Sequence, residues 1–185
     1  MTVFRKIEED FIEGYEGWIG AEQFKGTGAR LARMMKEMCW PNEAVEKEVN
    51  NCFKAVFDNN YDEMLVSEPT SVWTLCPHHL VPVHFEVAIG YVPNGQVLGL
   101  SKFSRVALAV GKRPIMQEQY TQELAESIMN HLSPKGCAVY VVGVHGCIGC
   151  RGVQQDVRIH TAVVKGVFDT DPKTREEFYR IVKGK

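Results

Sequence analysis

Two short clusters hold most of the residues able to do chemistry. One is Cys76-Pro77-His78-His79. The other is His145-Gly146-Cys147-Ile148-Gly149-Cys150. Zinc favours thiolate and imidazole ligands, and a catalytic zinc commonly takes three protein ligands with water in the fourth position. Cys76, His79 and Cys147 form such a set. His78 and His145 then remain as acid/base groups beside the metal. A closed structural zinc using Cys76, His79, Cys147 and Cys150 fits the same residues. Cys147-x-x-Cys150 also has redox-pair spacing, although the βαβ context of such pairs is missing. Spacing alone leaves these alternatives open.

Anion-binding chemistry is also present. Ser101-Lys102-Phe103-Ser104-Arg105 lies where a helix is expected to begin, and helix starts favour phosphate through free N–H groups and the positive dipole end. Arg151 adds a cation beside the second cluster. Arg30 and Arg33 lie about one turn apart on an expected helix. Taken alone, these two read more readily as solvated surface charges. Gln117-Glu118 at another helix start compensates the helix dipole or reads a purine edge, with Glu accepting from ring N–H and amine donors. His84, His131 and His160 gain nothing from spacing and are taken as structural or surface residues. Met34, Met35 and Met38 are taken as packing residues.

These groups need elements to hold them. Ile7–Trp18 and Pro41–Phe57 carry helical apolar periodicity, and Thr27 is expected to N-cap a helix through Met38. Leu65-Val66 and Val72–Thr74 suggest short strands. Val83–Tyr91 alternates strictly, and Pro93-Asn94-Gly95 predicts a turn that returns Val97–Leu100 as a hairpin arm. Helices are expected at Ser101–Gly111, with Ser101 as cap, and at Met116–Leu132. Cys137–Val144 and Ile159–Phe168 read as strands. Asp171-Pro172 opens a terminal helix. The pattern is α+β: a helical N-terminal arm over 1–60 and a body over 61–185.

Composition narrows the class. The 185 residues are 45% hydrophobic and 24% charged, with 21 basic and 23 acidic side chains and a formal charge of -2. That is ordinary globular composition. It gives no global attraction to nucleic acid or an anionic membrane. A balanced total still leaves room for a local basic pocket. The N-terminus lacks the apolar core of a secretory signal, and no apolar run reaches the roughly 18 residues of a membrane span. A cytoplasmic location is expected, where the six cysteines stay reduced.

Taken in order, these motifs resemble GTP cyclohydrolase I. The resemblance runs from about Thr27 to the C-terminus and is densest from Cys76 to Val153. It rests on Cys76-x-His78-His79, Gly90-Tyr91-Val92-Pro93, Val97-Leu98-Gly99-Leu100-Ser101-Lys102-x-x-Arg105, Gln117-Glu118, His145-x-Cys147-x-x-x-Arg151-Gly152 and Gly166-Val167-Phe168. Asp171-Pro172-Lys173-Thr174-Arg175-x-Glu177-Phe178 continues it.

The resemblance implies a tunnelling fold, an antiparallel sheet with helices on one side. It implies homo-oligomers, commonly decamers, whose sheets join into barrels with active sites between subunits. It implies hydrolysis of GTP at purine C8 to 7,8-dihydroneopterin triphosphate and formate, on the way to folate or related pterins. By the same resemblance Cys76, His79 and Cys147 bind Zn2+, and His78 and His145 are catalytic. Gln117 and Glu118 hold guanine. Ser101, Lys102, Arg105 and Arg151 contact triphosphate or ribose, joined by Arg30 and Arg33 from a neighbouring subunit.

Three departures stand out. Pro77 replaces the family's usual Glu. Gln154–His160 replaces a Ser/Thr-rich stretch. Gly26-Thr27-Gly28-Ala29-Arg30 stands where a Thr-Pro helix start is usual. The altered stretch motivates a same-fold enzyme with a shifted substrate or product as an alternative. A non-catalytic structural-zinc assembly is a second.

Overall fold

The computed structural model describes residues 26–184. The helix expected at Ile7–Trp18 lies outside the described residues. The chain divides into two compact units, Met1–Trp40 and Pro41–Lys185.

In the smaller unit, α1 spans Thr27–Met38, so Thr27 is its first helical residue and not the expected cap. Its cap is Gly26 in the left-handed region, without a side-chain cap bond. Thr27 instead accepts from Arg30 Nη2 at 2.9 Å.

In the larger unit, α2 (Asn42–Cys52) follows Pro41. It ends earlier than its apolar pattern suggests, because Val56–Asp58 forms β1. Two β-favouring residues, Val56 and Phe57, pair there with Leu98 and Val97 of β5 (Gln96–Leu98). The hairpin expected between Val83–Tyr91 and Val97–Leu100 therefore does not form. The chain turns after Val92 and β5 joins β1 in a separate two-stranded sheet. Tyr91 still ties the two segments, since its hydroxyl accepts from the Leu98 N–H at 2.9 Å.

The main sheet has five antiparallel strands: β2 (Leu65–Val66), β3 (Thr70–Leu75), β4 (Pro82–Val92), β6 (Gly136–His145) and β7 (Arg158–Gly166). Strand β4 is its spine. One edge pairs with β2 near Tyr91 and with β3 from Val87 to Pro82. The other edge pairs with β6 along its whole length. Alternation holds: Val83, Phe85, Val87, Ile89 and Tyr91 are all buried. They face α3 (Ser101–Val110) and α4 (Gln117–Leu132), with Phe85 against Tyr120 and Tyr91 against Phe103. Helix α3 begins without a side-chain cap from Ser101; its cap position is Leu100. On the same face the Cys137 thiol meets the Ala125 carbonyl at 3.5 Å. Burial pushes that thiol up to about 12, so it is inert at neutral pH.

Short α5 (Gly146–Gly149) follows β6. After β7 come α6 (Val167–Thr170) and α7 (Pro172–Lys183). Asp171 caps α7, accepting from the Lys173 and Thr174 N–H groups. Phe168 and Phe178 pack on Val92 and Ala138. In the ladder, Val92 and Ala138 point away from the face that carries Tyr91 and Cys137. The C-terminal helix pair thus covers one end of the opposite face, so helices are not confined to one side. No helix among the described residues is long and apolar enough to cross a membrane.

Candidate active site

The two chemical clusters meet because β4 pairs with both strands that carry them. Leu75 at the end of β3 faces Pro82, and Val83 faces His145 at the end of β6. Cys76 to Val81 closes the β3–β4 connection. Cys76 N–H donates to the Val81 carbonyl at 2.9 Å, and Leu80 N–H donates to the Cys76 carbonyl at 2.8 Å. His78 and His79 project from this turn, with ring centroids 6.2 Å apart. Cys147 lies on α5, directly after His145 and Gly146.

Ligand atoms of Cys76, His79 and Cys147 all lie within 4.8 Å of one another. Cys76 Sγ is 3.6 Å from His79 Nδ1 and 3.8 Å from His78 Nδ1. Burial, reinforced by the Cys76 thiol beside it, raises the Cys147 thiol above its ordinary range. Two crowded thiols and an imidazole suit a thiophilic cation, which would hold both sulfurs as thiolates. The donor set therefore fits zinc. Cys150 is exposed and does not belong to this group.

His145 stands beside the group, half-buried, with its ring edge-on to Phe85 at 6.0 Å. Burial lowers its basicity, and the carboxylate of Glu118 partly opposes this. Its Nε2 lies 2.7 Å from Gln117 Oε1. Glu118, at the first turn of α4, is exposed while Gln117 is buried. Arg151 follows α5 and acts electrostatically on Cys147.

The anion-binding candidates on α3 are elsewhere in the unit. Ser104 bonds Thr70 at 3.0 Å, at the opposite end of β3 from Cys76. Six strand residues at about 3.3 Å each place that end roughly 20 Å away. Lys102 and Arg105 act electrostatically on Cys52 of α2. Arg30 and Arg33 belong to α1 in the smaller unit. Within one chain, then, the fold assembles Cys76, His78, His79, Cys147, His145, Gln117, Glu118 and Arg151. It does not bring Ser101, Lys102 and Arg105 to them.

Sequence reasoning overlooked Gly143, Thr121 and Thr161. An ideal Cβ on Gly143 would overlap Gln117 Oε1 and lie 2.9 Å from His145 Nε2. A glycine inside a strand signals such close approach, so this position was findable. The threonines carry no such signal, because their partners are distant in sequence.

Comparison with known proteins identifies the family. A family model described as GTP cyclohydrolase I matches residues 7–183. The chain is 39% identical to GTP cyclohydrolase 1 of Dictyostelium discoideum, covering 82% of this chain and 66% of that protein. It is 42% identical to the Homo sapiens protein of the same name, covering 70% of this chain and 52% of that one. With GTP cyclohydrolase 1 of Pseudoalteromonas translucida (strain TAC 125) it shares 35% identity, covering 96% of this chain and 100% of the relative. The match thus spans under two thirds of the Dictyostelium and human proteins and the whole bacterial one. Over nearly its full length, this chain belongs to the GTP cyclohydrolase I family.

Proposed function

We propose that the protein is a zinc-dependent GTP cyclohydrolase I that converts GTP and water to 7,8-dihydroneopterin triphosphate and formate. It acts in the cytoplasm, as a homo-oligomeric ring. The observation that supports this most is the convergence of Cys76, His79 and Cys147, with His145 and His78 beside them.

Cys76, His79 and Cys147 would hold the zinc. When bound, the metal acts as a Lewis acid and activates water for attack at purine C8. His145 donates a proton to purine N7, which makes C8 electrophilic. His78 moves protons during ring opening, formate release and rearrangement of the ribose. Glu118 accepts from the guanine N–H groups and so fixes the base. Arg151 holds phosphate on the site's own side. Lys102, Arg105 and Ser101 sit far from the Cys/His group of their own chain, which favours their serving a neighbour's triphosphate across a subunit boundary. By the family resemblance Arg30 and Arg33 also reach the triphosphate from a neighbouring subunit.

Zinc-loaded protein incubated with GTP should release formate and, after oxidation, a fluorescent pterin. Absence of both products would defeat this proposal. Recovery of a cyclic phosphate in place of the triphosphate, by mass spectrometry, would favour a shifted product.

A further inference from the structure

Among the described residues the buried polar side chains are Thr74, Gln117 and Thr121. Thr74 donates to the Arg113 carbonyl. Gln117 and Thr121 belong to a network that ends on His145, and its hydrogen positions can be worked out atom by atom.

Gln117 Nε2 lies 3.3 Å from the Val141 carbonyl, 3.0 Å from the Ile159 carbonyl and 3.1 Å from Thr161 Oγ1. Carbonyl oxygens only accept, so this end of the amide must be the NH2 group. A flipped amide would set an oxygen against two carbonyls at a buried site, and leave acceptors unpaired. The other end is therefore Oε1, the atom 2.7 Å from His145 Nε2. An amide oxygen also only accepts, so Nε2 of His145 carries a hydrogen. The rest of the network agrees. Thr121 donates to the Gln117 backbone carbonyl at 2.7 Å. Its proton is thus committed, and Thr161 donates to Thr121 Oγ1 at 2.7 Å. Thr161 remains an acceptor for the Gln117 amide.

Gly143 provides an independent observation. It lies two residues before His145 on the same face of β6, under the amide oxygen, where a Cβ would overlap it. The strand carries no side chain at the one place where the Gln117–His145 contact needs space.

We propose that Gln117 is a positioning residue that fixes the orientation and tautomer of His145, with the ring hydrogen on Nε2 and Nδ1 left as the acceptor nitrogen, and that Gly143 is the gap admitting this contact. The inference rests on the role given above to His145. It alters the one suggested for Gln117, whose amide NH2 is turned into the protein and whose Oε1 already accepts from His145, leaving only the second lone pair of Oε1 for a purine donor. Guanine recognition then falls mainly to Glu118.

The test uses zinc-loaded, full-length protein labelled with 15N-histidine. Solid-state nitrogen spectra are recorded without GTP, and the His145 signal is identified by its loss in His145→Ala. Wild type should show a protonated Nε2 and an unprotonated Nδ1 at neutral pH. Gln117→Ala and Gly143→Ala should both abolish that pattern. With zinc content retained, each should lower kcat for GTP by about 10²–10⁴, the scale of a misplaced acid/base group, with little change in KM. A hydrogen on Nδ1 in the wild type would overturn the proposal whether or not the variants fold. So would Gln117→Ala with an unchanged nitrogen pattern and a raised KM alone, the behaviour of a guanine contact. Because the spectrum needs no substrate, absence of GTP turnover in the wild type would strike the proposed reaction and not the tautomer.

Discussion

The ring of Phe178 occupies the space that a side chain on Gly90 would need. An ideal Cβ at Gly90 would come within 2.7 Å of one ring carbon and 2.9 Å of another. Phe178 is fully buried, with Phe168 edge-on at 5.9 Å. Helix α7 thus lies directly on the spine strand. Gly90→Ala should destabilise the protein by about 1–3 kcal/mol through overpacking. Urea denaturation followed by far-UV circular dichroism would measure it, and wild-type stability would show that α7 shifts freely.

Metal content should follow the ligand group. Cys76→Ser, His79→Ala and Cys147→Ser should each lose bound zinc and melt at lower temperature than wild type. Chelation should lower the wild-type melting temperature, since a ligand held by the native state stabilises it. Cys150→Ser should keep a full complement by elemental analysis. Loss of zinc in Cys150→Ser would point to a closed structural site.

His145→Ala should retain zinc, because His145 lies outside the ligand group. Its turnover of GTP should fall by about 10²–10⁴. Formate release in a stopped assay measures this. Unchanged turnover would remove His145 from the chemistry.

Asp171 links α7 to pH. The Thr174 hydroxyl, and then the Lys173 N–H, hold its carboxyl below the usual carboxylate range. A depressed native pKa means that the contribution is present above the unfolded value of about 3.9. It is lost as pH falls through the lower native value. Asp171→Asn should therefore be less stable than wild type at neutral pH, with the difference closing at strongly acidic pH. Thermal melts across that range would decide; a constant difference would assign the effect to packing.

Much of this organisation was legible in the residues. The strict alternation of Val83–Tyr91 marks the spine strand, and the stripe of Tyr120, Leu124, Ile128 and Leu132 marks α4, because burial on one face leaves a periodic trace. The grouping of Cys76, His79 and Cys147 without Cys150 was legible only with the family resemblance, since spacing alone left Cys150 as a competitor. Two elements misled. Val97–Leu100 looked like the return arm of β4, but turn residues specify a bend and not which strand lies beyond it. The apolar stripe after Pro41 ran past the end of α2, because Val56 and Phe57 serve a strand as well as a helix. The Gln117 network left only Gly143 as a trace, a glycine inside a strand, because its other members are separated by dozens of positions.

The double pairing of β4 makes the protein unevenly tolerant of changes in chain length. Residues 149–160 are exposed throughout, so insertions or deletions between Gly152 and Val157 should alter local contacts and leave the ladders intact. A single deletion inside β4 is different in kind. Its side chains change faces with each residue, so β3 and β6 cannot both keep register with the shortened strand. Either Cys76 parts from Cys147, or His145 turns to the face opposite Gln117. Every chemical residue would still be present in order, and a motif search would find them all in a protein unable to assemble them.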